Sequence, residues 1–179
     1  GALSTFGGAL IAAVIFGATG GVMEAALRTA YEVITGEQLG NVDITAVRGM
    51  EGVREASVQV GDLEVKAAIA HGLANAAKVL DRVAAGEADY HFIEIMACPG
   101  GCLGGGGQPI PTSPDVRNAR ADAIYQADRE MPIRRSHENP SIKAIYDKFL
   151  GEPLSHKSHH LLHTDYTPRT KRAVQVERG

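Results

Sequence analysis

The two cysteines are the residues of this sequence best suited to chemistry, because a thiolate is both a nucleophile and a ligand for soft metals. Cys98 and Cys102 are separated by Pro-Gly-Gly, and a run of four glycines follows at residues 104–107. Glycine lets backbone amides approach a bound group closely, and Pro99 stiffens the turn. The pattern therefore predicts a loop that holds an inorganic group through sulfur. By spacing alone, a glycine-rich surface loop with two incidental cysteines explains it equally well.

The composition is that of one folded domain, or of one domain with a small appendage. Of the 179 residues, 44% are hydrophobic and 22% are charged, so the chain can bury a core. A net charge of −3 with scattered basic residues argues against a nucleic-acid partner. Two cysteines are too few for a secreted disulfide scaffold, which favours a reducing compartment. The apolar run at residues 9–16 is shorter than the roughly 20 residues that span a bilayer, so we expect no membrane span.

Strands that alternate with helices predict an α/β fold that positions the cysteine loop. Alternation of polar and apolar residues on either side of Gly61-Asp62 predicts a hairpin, so the sheet should be mixed. The last predicted strand runs directly into the cysteine loop. The predicted strands are residues 9–16, 42–47, 56–60, 63–70 and 90–96, and the predicted helices are residues 22–35 and 72–83, the second with Leu73, Ala76, Ala77 and Leu80 on one face.

The composition changes after Pro111, where the chain becomes polar and helical. Proline at the first turn predicts a helix at residues 114–129, and further helices are predicted at 139–150 and 155–163. This region has little core of its own, so we interpret it as a helical strap packed on another surface. Residues 167–179 are predicted to be a loose tail.

Three segments of the sequence resemble the iron-only (FeFe) hydrogenases. Residues 94–109 (EIMACPGGCLGGGGQP) are similar to that family's third signature motif, and residues 15–28 (IFGATGGVMEAALR) to the segment that precedes it. Residues 137–166 (HENPSIKAIYDKFLGEPLSHKSHHLLHTDY) resemble the family's small-subunit domain. The resemblance implies an α/β fold, the second lobe of the H-cluster domain with a mixed or parallel sheet and flanking helices, followed by the helical strap. It assigns residues 1–111 to the C-terminal lobe of the large-subunit domain, 112–168 to the small-subunit-like region and 169–179 to a tail.

The resemblance also implies a cofactor and a reaction. Members of the family hold an H-cluster, a 4Fe–4S cubane joined through one cysteine sulfur to a two-iron centre with CO, cyanide and a bridging dithiolate, and they interconvert protons, electrons and dihydrogen. Cys98 would ligate the cubane only, whereas Cys102 would ligate the cubane and bridge to the two-iron centre. Met96 and Phe16 would pack beside that centre. The glycines assigned to cofactor binding are Gly17, whose backbone would face the diatomic ligands, Gly100 and Gly101.

The cysteine count departs from the family pattern, because a cubane needs four ligands and this sequence contains two cysteines. The resemblance implies that the family's first two signature motifs, which this sequence lacks, supply the other ligands and a proton-relay cysteine. We therefore expect the C-terminal half of a catalytic subunit, as a fragment or as one piece of a split enzyme, which assembles no complete H-cluster alone. The start in an apolar stretch without Met fits the middle of a larger protein. The implied partners are the N-terminal half with its accessory iron–sulfur domains and ferredoxin or NAD(P)-linked subunits, in the cytoplasm.

The sequence leaves two alternative functions open. The turn at residues 17–21 before a helix is typical of dinucleotide binding, which predicts an NAD(P)-binding oxidoreductase. Against this, the third glycine of that spacing falls at Met23, and Asp43 lies near the start of the next predicted strand rather than at its end. The second alternative is a sensory relative that keeps the cluster fold without turnover, which the retention of Met96 and Phe16 disfavours.

Three further groups of polar residues have both a functional and a structural interpretation. Histidines at 156, 159, 160 and 163 recur at helical spacing, so an i, i+4 pair is able to chelate zinc, although surface or packing roles are more usual. Glu24 and Arg28 lie one helical turn apart and predict an ion pair. Glu94 is interpreted as structural, satisfying backbone amides of the glycine loop, with tuning of the cluster charge as the alternative.

Overall fold

The centre of the fold is a three-stranded mixed sheet in the order β1-β2-β3. The structure, a computed structural model, describes residues 13–167. Strand β1 (Val53–Val60) pairs antiparallel with β2 (Leu63–His71), and β2 pairs in parallel with β3 (Phe92–Met96). The hairpin between β1 and β2 turns through Gly61, whose φ of +60° is a conformation that glycine adopts without strain. The predicted hairpin and the predicted mixed sheet are therefore confirmed.

Helices cover both faces of the sheet. Helix α1 (Gly21–Thr35) packs on one face and helix α2 (Leu73–Ala84) on the other. Successive residues of a strand point to opposite faces, so the last five residues of β2 are all buried between the two layers. The core under α1 contains Met23, Leu27, Val47, Val60, Val65, Ala67 and Ile69, and the core under α2 contains Ala68, Ala70 and Val79.

Helix α3 (Pro114–Glu130) lies beside the cysteine loop. It begins at Ser113, whose hydroxyl accepts a hydrogen bond from the amide of Val116 at 3.2 Å, with proline at the first helical position. Its buried side chains belong to a third core cluster that contains Ile15, Ala18, Ala25, Leu103, Ala121 and Tyr125. The predicted helix at residues 114–129 is confirmed, and it covers the loop that carries the cysteines.

The described residues divide into two compact units between Ile142 and Lys143. Helix α4 (Pro140–Ile145) continues into a π-helical turn (Tyr146–Leu150). Gly151 follows with φ of +77°, which ends the helical segment where the sequence predicts its end.

Helix α5 (His156–Leu162) lies in the second unit and matches the short helix predicted at residues 155–163. Ser155 caps it, because its hydroxyl accepts a hydrogen bond from the amide of Ser158 at 3.3 Å. Of the predicted tail, residues 168–179 lie outside the described part of the chain. Among residues 13–167, no helix combines the length and the apolar composition needed to cross a membrane.

The first predicted strand, at residues 9–16, is wrong where the structure describes it. Residues 9–12 lie outside the described part, and Val14–Gly17 form a 3-10 helix. Its backbone groups bond locally, since the amide of Ala18 donates to the carbonyl of Ile15 at 3.0 Å. The strand predicted at residues 42–47 is also wrong, because this segment is a loop that ends in a 3-10 turn, Thr45–Val47.

Buried side chains explain why residues 42–47 do not form a strand. The guanidinium of Arg28 donates to the carbonyl of Val42 at 2.7 Å, and the amide of Ile44 donates to Glu24 at 3.2 Å. Groups that a neighbouring strand would bond are therefore already paired.

The predicted apolar face of α2 is only partly buried. Leu73 and Leu80 are 71% and 49% exposed, whereas Ala76 and Val79 are buried. The side of the helix that contacts the sheet is therefore turned by about one residue from the predicted one.

Candidate functional site

Both cysteines open into one cavity of about 410 Å³. Cys98 is partly buried, Cys102 is exposed, and both thiols are free. The loop coils back on itself because the amide of Gly101 donates to the carbonyl of Cys98 at 2.9 Å, and the amide of Gly105 to that of Cys102 at 3.2 Å. The other residues that line the cavity are Met96, Ala97, Gly101, Gly105, Gly106 and Gln108. Two soft ligands therefore face a space large enough for an inorganic group.

Gly101 is the position where the cysteine loop has no room for a side chain. Its φ is +79°, and a Cβ atom there would lie 2.5 Å from the sulfur of Met96 and 2.9 Å from the carbonyl oxygen of Gly17. Its amide is already donated to Cys98, so its contribution to the site is the missing side chain rather than a free donor.

The 3-10 helix at Val14–Gly17 and the residues that follow it lie directly against the cysteine loop. Ala18 and Gly101 form an isolated antiparallel bridge, and the amide of Thr19 donates to the carbonyl of Gly100 at 3.2 Å. Gly17 is thereby fixed beside the loop. Phe16 belongs to the same segment, but it is 39% exposed and does not line the cavity.

Glu94 clamps the start of α1 to the end of β3. Its carboxylate is 6% exposed and accepts hydrogen bonds from the amides of Gly20 at 2.6 Å and Met23 at 2.7 Å. A carboxylate at this position also pairs with the positive end of the helix dipole. The structural interpretation of Glu94 holds, but the amides it satisfies belong to the N-cap and the first turn of α1 and not to the glycine loop.

The same clamp argues against dinucleotide binding. A pyrophosphate would need the free amides at the N-terminus of α1. Glu94 already accepts from two of them, and the side chain of Met23 is fully buried. The carboxylate of Glu94 therefore already binds amides at this helix start that a pyrophosphate would need.

Six charged side chains form a buried charge network that joins α1, the loop before β1, α3 and the chain after α3. Arg28 is fully buried at its centre and binds Asp128 through two hydrogen bonds of 3.0 and 2.9 Å. Arg28 also binds Glu24 at 2.8 Å, which confirms the predicted ion pair. The network consists of three carboxylates and three guanidinium groups, Glu24, Asp43, Asp128, Arg28, Arg48 and Arg134.

The balance of charges decides the ionisation of Asp128. Burial raises the pKa of its carboxyl, but hydrogen bonds from Arg28 and Arg134 outweigh burial and leave the pKa below its ordinary value. The carboxylate is therefore charged at neutral pH and holds the two arginines together.

Helix α3 also supports the cysteine loop through Arg120. The guanidinium donates to the carbonyl of Leu103 at 2.7 Å and to that of Pro109 at 3.0 Å. Both carbonyls belong to the loop that follows Cys102. The chain after Pro111 thus positions the candidate site as well as covering it.

Replacement of Gly101 by Ala is expected to separate the cysteine loop from the segment at Gly17. The added Cβ meets Met96 and two backbone atoms, and alanine is strained at φ of +79°. We expect the free energy of unfolding to fall by about 1–3 kcal/mol, measured by urea denaturation.

Gly106→Ala is the matched control, because a Cβ there meets no atom within 4 Å. Its free energy of unfolding should stay within about 0.5 kcal/mol of the wild type. Equal stabilities for the two variants would contradict the packing argument.

The structure brings together most of the residues that the sequence singles out. Met96, Cys98, Gly101 and Cys102 line the cavity, whereas Gly17, Gly100 and Phe16 lie in the adjoining backbone. The clamp role of Glu94 and four members of the charge network were not predicted. The contacts that join the network to α1 connect residues distant in sequence, with Asp128 lying 100 residues from Arg28, so no local signal marks them.

Comparisons with known proteins identify both parts of the chain. The family model described as iron only hydrogenase large subunit, C-terminal domain, matches residues 2–106, and that described as iron hydrogenase small subunit matches residues 114–169. The chain is 55% identical over 161 residues to the NADP-reducing hydrogenase subunit HndD of Solidesulfovibrio fructosivorans, which covers 89% of this chain and 27% of that protein. It is 32% identical over 162 residues to Protein NAR1 of Arabidopsis thaliana, which covers 88% of this chain and 34% of that protein.

A solved structure of FeFe-hydrogenase HydA1 from Chlamydomonas reinhardtii has the same fold. It aligns with a TM-score of 0.64 at 44% identity and covers 84% of this chain and 45% of that chain. The predicted α/β fold with flanking helices is confirmed. The chain spans about a quarter to a third of the length of the two curated relatives.

Proposed function

This chain belongs to the iron-only hydrogenase family, and we propose that it forms one side of an H-cluster site that reversibly converts protons and electrons to dihydrogen. The observation that carries the proposal is the cavity in which Cys98, Cys102 and Met96 meet bare glycine backbone. In this proposal the protein works in the cytoplasm and exchanges electrons with ferredoxin or NAD(P)-linked modules.

The cavity fits an iron–sulfur cofactor because its lining offers two thiols and glycine backbone without side chains. Thiolates are the usual ligands of such clusters. A Cβ atom at Gly105 would lie in van der Waals contact with the sulfur of Cys98, at 3.4 Å, so the bare glycine leaves the space beside the thiol open. Because the sequence holds two cysteines and a cubane takes four ligands, the remaining ligands come from protein outside this sequence.

The chain's own residues bind and orient the cofactor and restrict solvent around it. Cys98 would hold the cubane, and Cys102 would hold the cubane on the side of the two-iron centre. The thioether of Met96 offers an apolar wall, and Phe16 is held close by the bridge between Ala18 and Gly101. When bound, the H-cluster supplies the redox chemistry by which two protons and two electrons give dihydrogen.

The second candidate is a cluster-binding protein without turnover. The 32% identity to Protein NAR1 over most of this chain favours it, since the name of that related protein does not describe a hydrogenase. The greater identity to HndD, 55%, and a methionine beside the cysteines favour the hydrogenase.

The deciding experiment measures iron, acid-labile sulfide and hydrogen evolution for the chain alone and for the chain assembled with the protein that supplies the other cluster ligands. We expect iron and hydrogen evolution from the assembly, and no hydrogen from the chain alone. Two thiolates leave the cubane without half of its ligands, which is the physical reason for the difference.

Each other outcome rejects a specific part of the proposal. An assembly without iron overturns cluster binding. An assembly with iron but no hydrogen evolution supports the second candidate, a cluster-binding protein without turnover. Hydrogen evolution by the isolated chain contradicts the argument from ligand count.

A further inference from the structure

Four of the seven histidines lie on one face of α5. Positions 156, 159, 160 and 163 are spaced so that, at 100° per residue, their side chains fall within one narrow sector of the helix. We call these four residues the histidine face. The opposite side of α5 is anchored by Ser158, which is 2% exposed and donates to the carbonyl of Glu152 at 3.1 Å.

The histidine face lines one pocket of about 360 Å³ together with Leu154 and Asp165. The rings of His159 and His163 are stacked with centroids 4.2 Å apart, and those of His156 and His160 with centroids 6.3 Å apart. All four side chains are exposed, so rotation about their side-chain bonds costs little packing. Asp165 adds a carboxylate that the histidine spacing by itself does not reveal.

The charges around the pocket suit a divalent cation. The ammonium of Lys157, the basic residue within α5, lies 3.8 Å from the centre of the Phe149 ring and does not line the pocket. Imidazole nitrogen with a carboxylate oxygen is a ligand set that zinc accepts, and two histidines at i and i+4 on a helix chelate one ion.

We propose that the histidine face and Asp165 form a second metal site, which binds a divalent transition-metal ion such as zinc. His159 and His163 are the primary chelating pair, because their rings are already the closer of the two pairs. Asp165 and one histidine of the other pair, His156 or His160, complete a four-ligand coordination. This site lies in the unit after Ile142 and is independent of the cysteine cavity.

The test titrates zinc into the full chain by calorimetry, with Cys98→Ser and Cys102→Ser present so that no thiolate competes. We expect one equivalent of zinc to bind. The variant His159→Gln/His163→Gln should bind at least about tenfold more weakly, and His156→Gln/His160→Gln should weaken binding as well. Because zinc binds neutral imidazole, affinity should also fall as the pH is lowered.

The matched control replaces a histidine outside the histidine face, His91→Gln, and should leave the affinity unchanged. A cobalt titration adds a spectroscopic readout, since nitrogen and oxygen ligation gives a visible spectrum without sulfur charge-transfer bands. The proposal is overturned if zinc does not bind, if neither histidine-face variant weakens binding, or if the control weakens it equally.

Discussion

Replacing Cys102 with Ala in the assembled protein is expected to reduce hydrogen evolution to background and to lower the iron content. The thiol of Cys102 is exposed in the cavity that also contains Cys98 and Met96, and alanine offers no ligand there. Cys98→Ala should likewise lower the iron content, because in the proposed site each thiolate is one of the cluster ligands. Iron is measured by elemental analysis and hydrogen by gas chromatography.

Gln108→Ala is the control for this prediction. Gln108 lines the same cavity, but its neutral amide is a poor ligand for an iron–sulfur cluster. This variant should retain its iron and should still produce hydrogen. If Cys102→Ala kept both as well, the assignment of the cysteine loop to the cluster would be wrong.

The second large effect is expected from Asp128→Asn in the buried charge network. The substitution preserves shape but removes the charge that Arg28 and Arg134 share, and Asp128 and Arg28 are both fully buried. Removing one partner of a buried ion pair typically costs ~3–5 kcal/mol. Although Arg28 keeps its contact with Glu24, the network is left with three guanidinium groups and two carboxylates, so one positive charge is uncompensated. We expect a loss of this size in the free energy of unfolding. Circular dichroism in urea is suitable, since the sequence contains no tryptophan.

The pH dependence gives an independent check on Asp128. Its pKa in the folded protein is below its ordinary pKa. Its stabilising contribution is therefore fully present above the ordinary pKa and is lost as the pH falls through the lowered pKa of the folded protein. Wild-type stability should therefore decrease in acid, and Asp128→Asn should decrease less over the same range.

Asp89→Asn serves as the control for the buried pair. Asp89 binds Lys66 at 2.8 Å, but its side chain is 81% exposed. Solvent weakens such a pair, so we expect no measurable change in stability. A similar loss in the two variants would show that burial is not what makes the network important.

Much of the secondary structure follows from local signals. The hairpin between β1 and β2 is encoded by alternating residues around Gly61, and α3 by Ser113 and Pro114 at its start. The segments at 14–16 and 42–47 also contain apolar residues, but neither pairs with a strand of the sheet. Arg28 and Glu24 bond the backbone of the second segment, and a pattern of hydropathy contains no information about such partners.

The candidate site was predicted only as far as its residues resemble a family motif. The spacing of the two cysteines did not by itself distinguish a ligand loop from a surface loop, and the similarity of residues 94–109 to the third signature motif marked the loop. Glu94 is an ordinary acidic residue in a strand, and its partner Met23 lies 71 residues away in the sequence. Its role as a clamp depends on the packing of α1 against β3, which is a long-range property.

The sequence by itself therefore determined the two thiols, the glycine backbone around them and the family to which the chain is similar. Only the tertiary structure decided how the loop that carries the thiols is held. The Ala18–Gly101 bridge, the Glu94 clamp and the arginine–aspartate network join segments that are remote along the chain. The physical reason is that ligand chemistry belongs to individual side chains, whereas the pairing of buried charges and amides arises only when distant segments are packed together.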